Sequence, residues 1–332
     1  MIKIMPGIYQ MKIPIPNNPL GYTNTYLVQG GNEHLLIDAG WDDKQALQSL
    51  STQLAEIDVK IRDITKIIVT HAHFDHYGLA GKVKQLSMAK IALHYLDKNL
   101  LTPVHTDTDE LISQNEHWFY TNGVPTAELP ATRFAFAPMR RFSSIAPPDI
   151  TLRDREIISA GPFRLQVVWT PGHSPGHICL YEPNYKILFA GDHILPIITP
   201  NISLQPQSHS NPLGDFLNSL NKVKQLDVNL VLPAHEDLFE DLNTRVDEIH
   251  LHHELRNTEI LDAIGTKPKT AYQISTLITW MPEFGGISFQ NLGPSDKRMA
   301  VSETLAHLMA MRINGRVVQI SEDDIIHYQC TR

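Results

Sequence analysis

Cysteine is nearly absent from this 332-residue chain: Cys179 and Cys330 are its two examples, which argues against a disulfide framework and fits a reducing cytoplasm. Long apolar runs are lacking too. No stretch of about 18 apolar residues occurs, so no membrane span is expected. The N-terminal "MIKIMPGIYQMKIPIPNN" has no basic segment followed by a long apolar run, so no leader is expected either. Basic excess is missing: 28 Lys plus Arg face 36 Asp plus Glu, a net charge of −8. Such a balance repels polyphosphates unless the cations gather on one face, which disfavours nucleic acid as a partner. Repeats and low-complexity tracts are also absent. At 42% hydrophobic residues, the chain can bury a sizeable core, and its length favours a large domain plus a smaller one.

The first 40 residues read as short strands, "GIYQMKIPI", "NTYLVQGG" and "EHLLIDAGW", with Gly30 and Gly31 at a turn. A helix is expected after Asp42 and Asp43, then the β-branched run "ITKIIVT", a helix in "GLAGKVKQLSM" and the strand "KIALHY". This alternation predicts an α/β protein. Residues 98–150 break the rhythm with prolines and aromatics and read as an inserted lid or pocket wall. Strands resume at "FRLQVVWT", "HICLYE", "KILFAGD" and "VNLVLPAH". From about residue 241 the pattern turns helical, with stops at Gly265 and Gly315 and a hairpin-like "RVVQISEDDIIHYQ". We therefore expect a catalytic domain over 1–240 and a helical, winged-helix-like domain over 241–332.

What the chain has in quantity is histidine, 17 residues. Three of them, with an aspartate, crowd "IIVTHAHFDHYG" at residues 67–78. Imidazoles and carboxylates are ligands for borderline divalent cations, and His71 and His73 at the end of a buried strand reach into one place. Asp75 and His76, where the chain turns into a helix, can face a second ion. The pair has company: His173 follows a strand in "VVWTPGHSPGH", Asp192 ends one in "KILFAGDHIL", and His235 ends one in "LVLPAHED".

This order of ligands in these turn contexts resembles the metallo-β-lactamase-fold superfamily over roughly residues 1–240. The resemblance implies an αββα sandwich with a dinuclear metal site at one edge. His71, His73 and His173 would hold one metal and Asp75, His76 and His235 the other, with Asp192 bridging; Asp75 and Asp192 would be the catalytic carboxylates. Two divalent ions, zinc first and manganese or iron as substitutes, would generate a bridging hydroxide as nucleophile. The redox branch of the superfamily carries glutamate where this chain has His73, which favours hydrolysis. Asp38 in "LLIDAG" looks like the aspartate that orients the His-rich loop.

The other histidines read as ordinary structure. His177 is expected to hydrogen-bond rather than ligate, and His193, which points the opposite way from Asp192 if the strand continues, is not expected to be a ligand but could face the substrate. His250, His252 and His253 fit a solvated or interdomain helix surface, and His94, His209 and His307 have no evident partners. His105, His117, Trp118, Phe119 and Tyr120 could line a pocket, and Arg140 and Arg141 could bind an acidic substrate group, although packing and surface roles are the default.

The C-terminal texture narrows the resemblance to glyoxalase II-like and lactamase-β-like-2 hydrolases, which implies a small thioester, ester or lactone as substrate. An endoribonuclease or phosphodiesterase is the alternative. The basic glutathione-binding cluster of glyoxalase II is not evident, and Asp192 stands where β-lactamases carry cysteine. From residue 241 onward nine Lys/Arg face twelve Asp/Glu, which disfavours a nucleic-acid-reading winged helix.

Overall fold

The computed structural model describes residues 1–101, 108–130, 146–206 and 211–331. The chain divides into two compact units. One comprises Met1–Thr102, Ser144–Pro200 and Ser219–Val246; the other comprises Pro103–Ser143, Asn201–Asn218 and Asp247–Arg332.

The first unit holds two sheets. Strands β1 (Ile2–Met5), β2 (Ile8–Pro14), β3 (Tyr22–Gly30), β4 (Glu33–Ile37), β5 (Lys66–Ile68), β6 (Lys90–His94) and β7 (Ile150–Leu152) lie side by side in chain order. Pairing is antiparallel from β1 to β4 and parallel from β4 to β7. The parallel half needs crossovers, supplied by helices Lys44–Ala55 and Ala80–Ser87. Asp43 caps the first of these, accepting the Gln45 N–H at 2.7 Å. The second sheet contains β8 (Ile157–Ala160), β9 (Phe163–Trp169), β10 (Ile178–Glu182), β11 (Ile187–Gly191) and β12 (Leu230–Pro233) in the order 12-11-10-9-8, with only β11 and β12 parallel.

Alternation along these strands sends one set of side chains between the sheets. Ile8, Tyr26, Val28, Leu35, Ile37 and Ile68 meet Leu165, Val167, Ile178, Leu180, Ile187 and Phe189 in one core. The Tyr26 and Phe189 rings join the two layers edge to face, with centroids 5.3 Å apart. Leu36, Ile67, Cys179 and Leu188, the neighbours in sequence, are also buried, as strands covered on both faces require. The fold is thus the two-layered α/β architecture expected. No helix among the described residues is long and apolar enough to cross a membrane.

The second unit has its own core of Phe119, Ile260, Ile264, Ile274, Trp280, Phe289, Val301, Leu305, Leu308 and Tyr328. Helices Leu242–Ile264 and Ala271–Ser275 lead into the short strands β13 (Thr279–Trp280) and β14 (Ile287–Ser288). Helix Pro294–Ile313 follows, and then a hairpin of β15 (Val317–Glu322) and β16 (Ile325–Cys330). Asp323 and Asp324 both adopt positive φ, 47° and 63°, as a two-residue hairpin turn matched to strand twist demands.

Part of the 98–150 insertion is helical, over Thr108–Thr121. Phe119 there belongs to the second unit's core, while His117 and Tyr120 are exposed. His105, Arg140, Arg141 and His209 lie outside the described residues. His253 and His307, which read as surface and partnerless, are buried and bonded to each other. The reason is position: His253 falls on the stripe Ile249, His253, Asn257, Ile260 and Ile264, the spacing of a buried helix face.

Candidate metal centre

Every residue singled out as a ligand follows the carboxyl end of a strand. Parallel pairing of β4 with β5 sets Asp38, just past β4, beside Thr70, just past β5. The Asp38 carboxylate accepts the Thr70 N–H at 2.8 Å, the Thr70 hydroxyl at 2.9 Å and the His76 Nδ1–H at 2.8 Å. With its hydroxyl proton committed, Thr70 Oγ1 accepts from His71 Nδ1 at 3.1 Å. Both imidazoles are thereby anchored at Nδ1 and direct Nε2 towards the opposite side of the ring.

His173 follows β9, Asp192 follows β11 and His235 follows β12. Gly191, at φ +54°, makes the turn into Asp192; a Cβ there would stand 2.6 Å from His177 Nε2. His177 accepts the Asp192 backbone N–H at that Nε2 and donates from Nδ1 to Thr170 Oγ1, at 3.1 and 2.8 Å. It is a hydrogen-bonding residue, and its neighbour His193 is buried and belongs to neither ligand group.

Strand β3 holds His235 from the other sheet. Asn24 donates its side-chain amide to the Pro233 and Glu236 carbonyls and its backbone N–H to the Ala234 carbonyl. Tyr26 donates its hydroxyl to Pro233 at 2.6 Å, and the Tyr22 carbonyl accepts from His235 Nδ1 at 3.0 Å. Sequence reasoning missed Asn24 and Tyr26. Their signal is an asparagine, a poor strand former, inside a strand, two residues from a tyrosine on the same face.

The result is two adjoining groups, His71, His73, His173 and Asp192, and Asp75, His76 and His235, each with ligand atoms mutually within 4.8 Å. His71 Nε2 is 2.8 Å from His73 Nδ1, which is 3.0 Å from His173 Nε2. Asp192 lies between the groups. Its Oδ2 is 3.8 Å from His71, 3.5 Å from His173 and 3.4 Å from His76, and its Oδ1 is 3.4 Å from His235. Asp75 Oδ2 completes the second group 3.2 Å from His235 Nε2.

The family profile described as "Metallo-beta-lactamase superfamily" matches residues 18–235, more than half of the chain and inclusive of all seven residues. The chain belongs to the metallo-beta-lactamase superfamily. It is 25% identical over 342 residues to a probable metallo-hydrolase, YqjP, of Bacillus subtilis (strain 168), covering 97% of both chains. It is 28% identical over 230 residues to the human acyl-coenzyme A thioesterase MBLAC2, covering 65% of this chain and 74% of that protein. The crystal structure of the metallo-beta-lactamase family protein TTHA1429 from Thermus thermophilus superposes with a TM-score of 0.81 at 29% identity, covering 99% of this chain and 100% of that one.

Membership of this superfamily implies a divalent-metal hydrolase, and the donor set fits a cation. His76 Nε2, His235 Nε2 and Asp192 Oδ1 are buried and have no hydrogen-bond partner among the described residues, a costly arrangement unless something fills it. Charge in the second group is strongly coupled. Burial alone would lower His76 and His235, but Asp192 and Asp75 outweigh it, raising His76 well above the usual range and His235 to about 10. Burial would raise the carboxylates, yet the same imidazoles hold Asp75 down to about 2 and Asp192 well below its ordinary value. Burial, with His76 and His73 alongside, pushes His71 well down, so that it stays neutral, the form in which imidazole binds metal.

Proposed function

We propose that this protein is a dinuclear metal hydrolase of small thioesters, esters or lactones. The observation that supports this reading best is Asp192, placed between two complete groups of imidazole and carboxylate donors. His71, His73 and His173 would hold one ion, Asp75, His76 and His235 the other, and Asp192 would serve both. When bound, two divalent cations polarise the substrate's oxygen and lower the pKa of water, so that a nucleophile is available near neutral pH.

The remaining work is done by the chain itself. Asp75 and Asp192 are the catalytic carboxylates in this reading: both stay ionised, and their fixed charge offsets that of the cations. Asp38, Thr70 and the Tyr22 carbonyl anchor His76, His71 and His235 at Nδ1 and aim their Nε2 atoms at the site, where a cation would take the place of any proton there. Zinc suits this imidazole-rich set, and manganese or iron are accepted by the same donors. We further read residues 1–240 as the catalytic domain, 98–150 as its lid and 241–332 as a winged-helix-like domain, in a cytoplasmic protein.

Likeness to an acyl-coenzyme A thioesterase makes thioesters the first substrates to try. Zinc-loaded protein is expected to cleave short acyl thioesters faster than lactones, phosphodiesters or single-stranded RNA. RNA cleavage without thioester or lactone cleavage would replace this reading with that of an endoribonuclease.

A further inference from the structure

The Asp97 carboxylate is wholly buried, yet it takes no part in either ligand group. It stands in the first turn of helix Tyr95–Leu101, directly after β6. Three donors converge on it. The Ala72 N–H, between His71 and His73, donates to Oδ2 at 2.8 Å; the Ser174 hydroxyl, next to His173, donates to the same oxygen at 2.8 Å; the Gly176 N–H donates to Oδ1 at 2.6 Å. Gly176 is shaped to this approach, since a Cβ there would lie 2.7 Å from Asp97 Oδ1 and 2.9 Å from Asp97 Cβ. The Trp169 indole N–H, donating to the Pro175 carbonyl at 2.9 Å, ties the same turn from its other side.

We propose that Asp97 is a positioning residue for the first ligand group. One carboxylate joins the loop carrying His71 and His73 to the loop carrying His173, 100 positions away, and adds to the Ile178 N–H to Thr70 carbonyl bond at 3.0 Å between the same two segments. Charge-assisted bonds to two backbone N–H groups and a hydroxyl are shorter and stronger than neutral ones. They fix the spacing of the three imidazoles before any cation arrives. The second group, held by Asp38 and β3, does not depend on Asp97. This inference rests on reading His71, His73 and His173 as a metal site.

The test uses the full chain and cobalt(II) alone, with stoichiometry, affinity by chelator competition and the visible spectrum read for unsubstituted protein and for Asp97→Asn, Ser174→Ala, Gly176→Ala and His173→Ala. Asp97→Asn keeps one acceptor oxygen but turns an NH2 towards donors. It should weaken one of the two ions by roughly 10- to 100-fold, the scale typical of groups that orient ligands, and that ion should be the one lost in His173→Ala. Ser174→Ala, which deletes a single bond, should weaken the same ion less. If Asp97→Asn fails to fold, Ser174→Ala and Gly176→Ala decide. A role in stability alone would lower the melting temperature of the metal-free variants and leave cobalt affinity and spectrum unchanged, which would overturn the proposal. Absence of cobalt binding by the unsubstituted chain would overturn the metal reading itself, and this inference with it.

Discussion

His71, His76 and His235 show how a side chain is specified by what stands behind it. Each ring nitrogen facing away from the site has a fixed oxygen partner: Thr70, Asp38 and the Tyr22 carbonyl. Asp192 differs, because its carboxylate is shared between both groups. Asp192→Ala is therefore expected to abolish most activity and to unpair the metals. Asp38→Ala, which frees only the back of His76 and the Thr70 loop, should cost about 10- to 100-fold in affinity or activity. Metal titration and kinetics of the two variants check this, and equal loss of both metals in each would show the two roles to be misassigned. At this scale the clustering of seven candidate donors is legible in the sequence, because each of the four segments carries its own mark: a β-branched or apolar run, a turn, then histidine or aspartate. Asp97, Asn24 and Tyr26 are not. Apart from the Ser174 hydroxyl on Asp97, their partners are backbone atoms of residues 25 to more than 200 positions away, and backbone groups leave no letter in the sequence.

Among the elements, strands and capped helices were the easiest to foresee, and the 98–130 region the hardest. Thr108–Thr121 folds with Phe119 in a core assembled largely from residues 260 onward, so its apolar face makes sense only once those partners are known. The helix Leu242–Ile264 hid a different feature. His307 Nδ1–H donates to Asn257 Oδ1 at 2.8 Å, which leaves His307 Nε2 as acceptor for His253 Nδ1–H at 3.3 Å. Both rings are buried and neutral. Burial first, then Arg256 and His252, pulls His307 down to about 3, and burial with His307 as neighbour pulls His253 well below its ordinary value. The sign follows directly: between pH 6.5 and the folded value, the unfolded chain binds a proton that the folded chain refuses. Stability from this pair is fully present above pH 6.5 and is lost as pH falls. His307 alone should contribute about 2 kcal/mol of that loss between about pH 7 and pH 5. Urea unfolding at the two pH values should show a smaller acid loss for His307→Gln than for the unsubstituted chain; equal losses would contradict a buried, neutral His307.

On the scale of the whole molecule, a net charge of −8 and a cluster of seven donors set opposite demands. The acidic surface favours cations over polyanions in general, but the centre concentrates three carboxylates, Asp38, Asp75 and Asp192, together with imidazoles that pair with them in place of a cation. Binding ions displaces those protons and stabilises only the folded chain, because the donors come from segments that meet only when both sheets have formed. Such linkage contributes about 2.7 kcal/mol for a ligand at about 100 times its Kd, several degrees in melting temperature for a chain of this kind. Gently purified protein is therefore expected to carry two divalent ions per chain, to melt several degrees lower after chelation, and to recover on addition of zinc. Asp75→Ala and His235→Ala should each reduce the stoichiometry to one and remove part of that recovery. A stoichiometry that stays at one under excess zinc, with both variants unchanged, would reduce the centre to a single ion on His71, His73 and His173 and leave Asp192 with nothing to bridge.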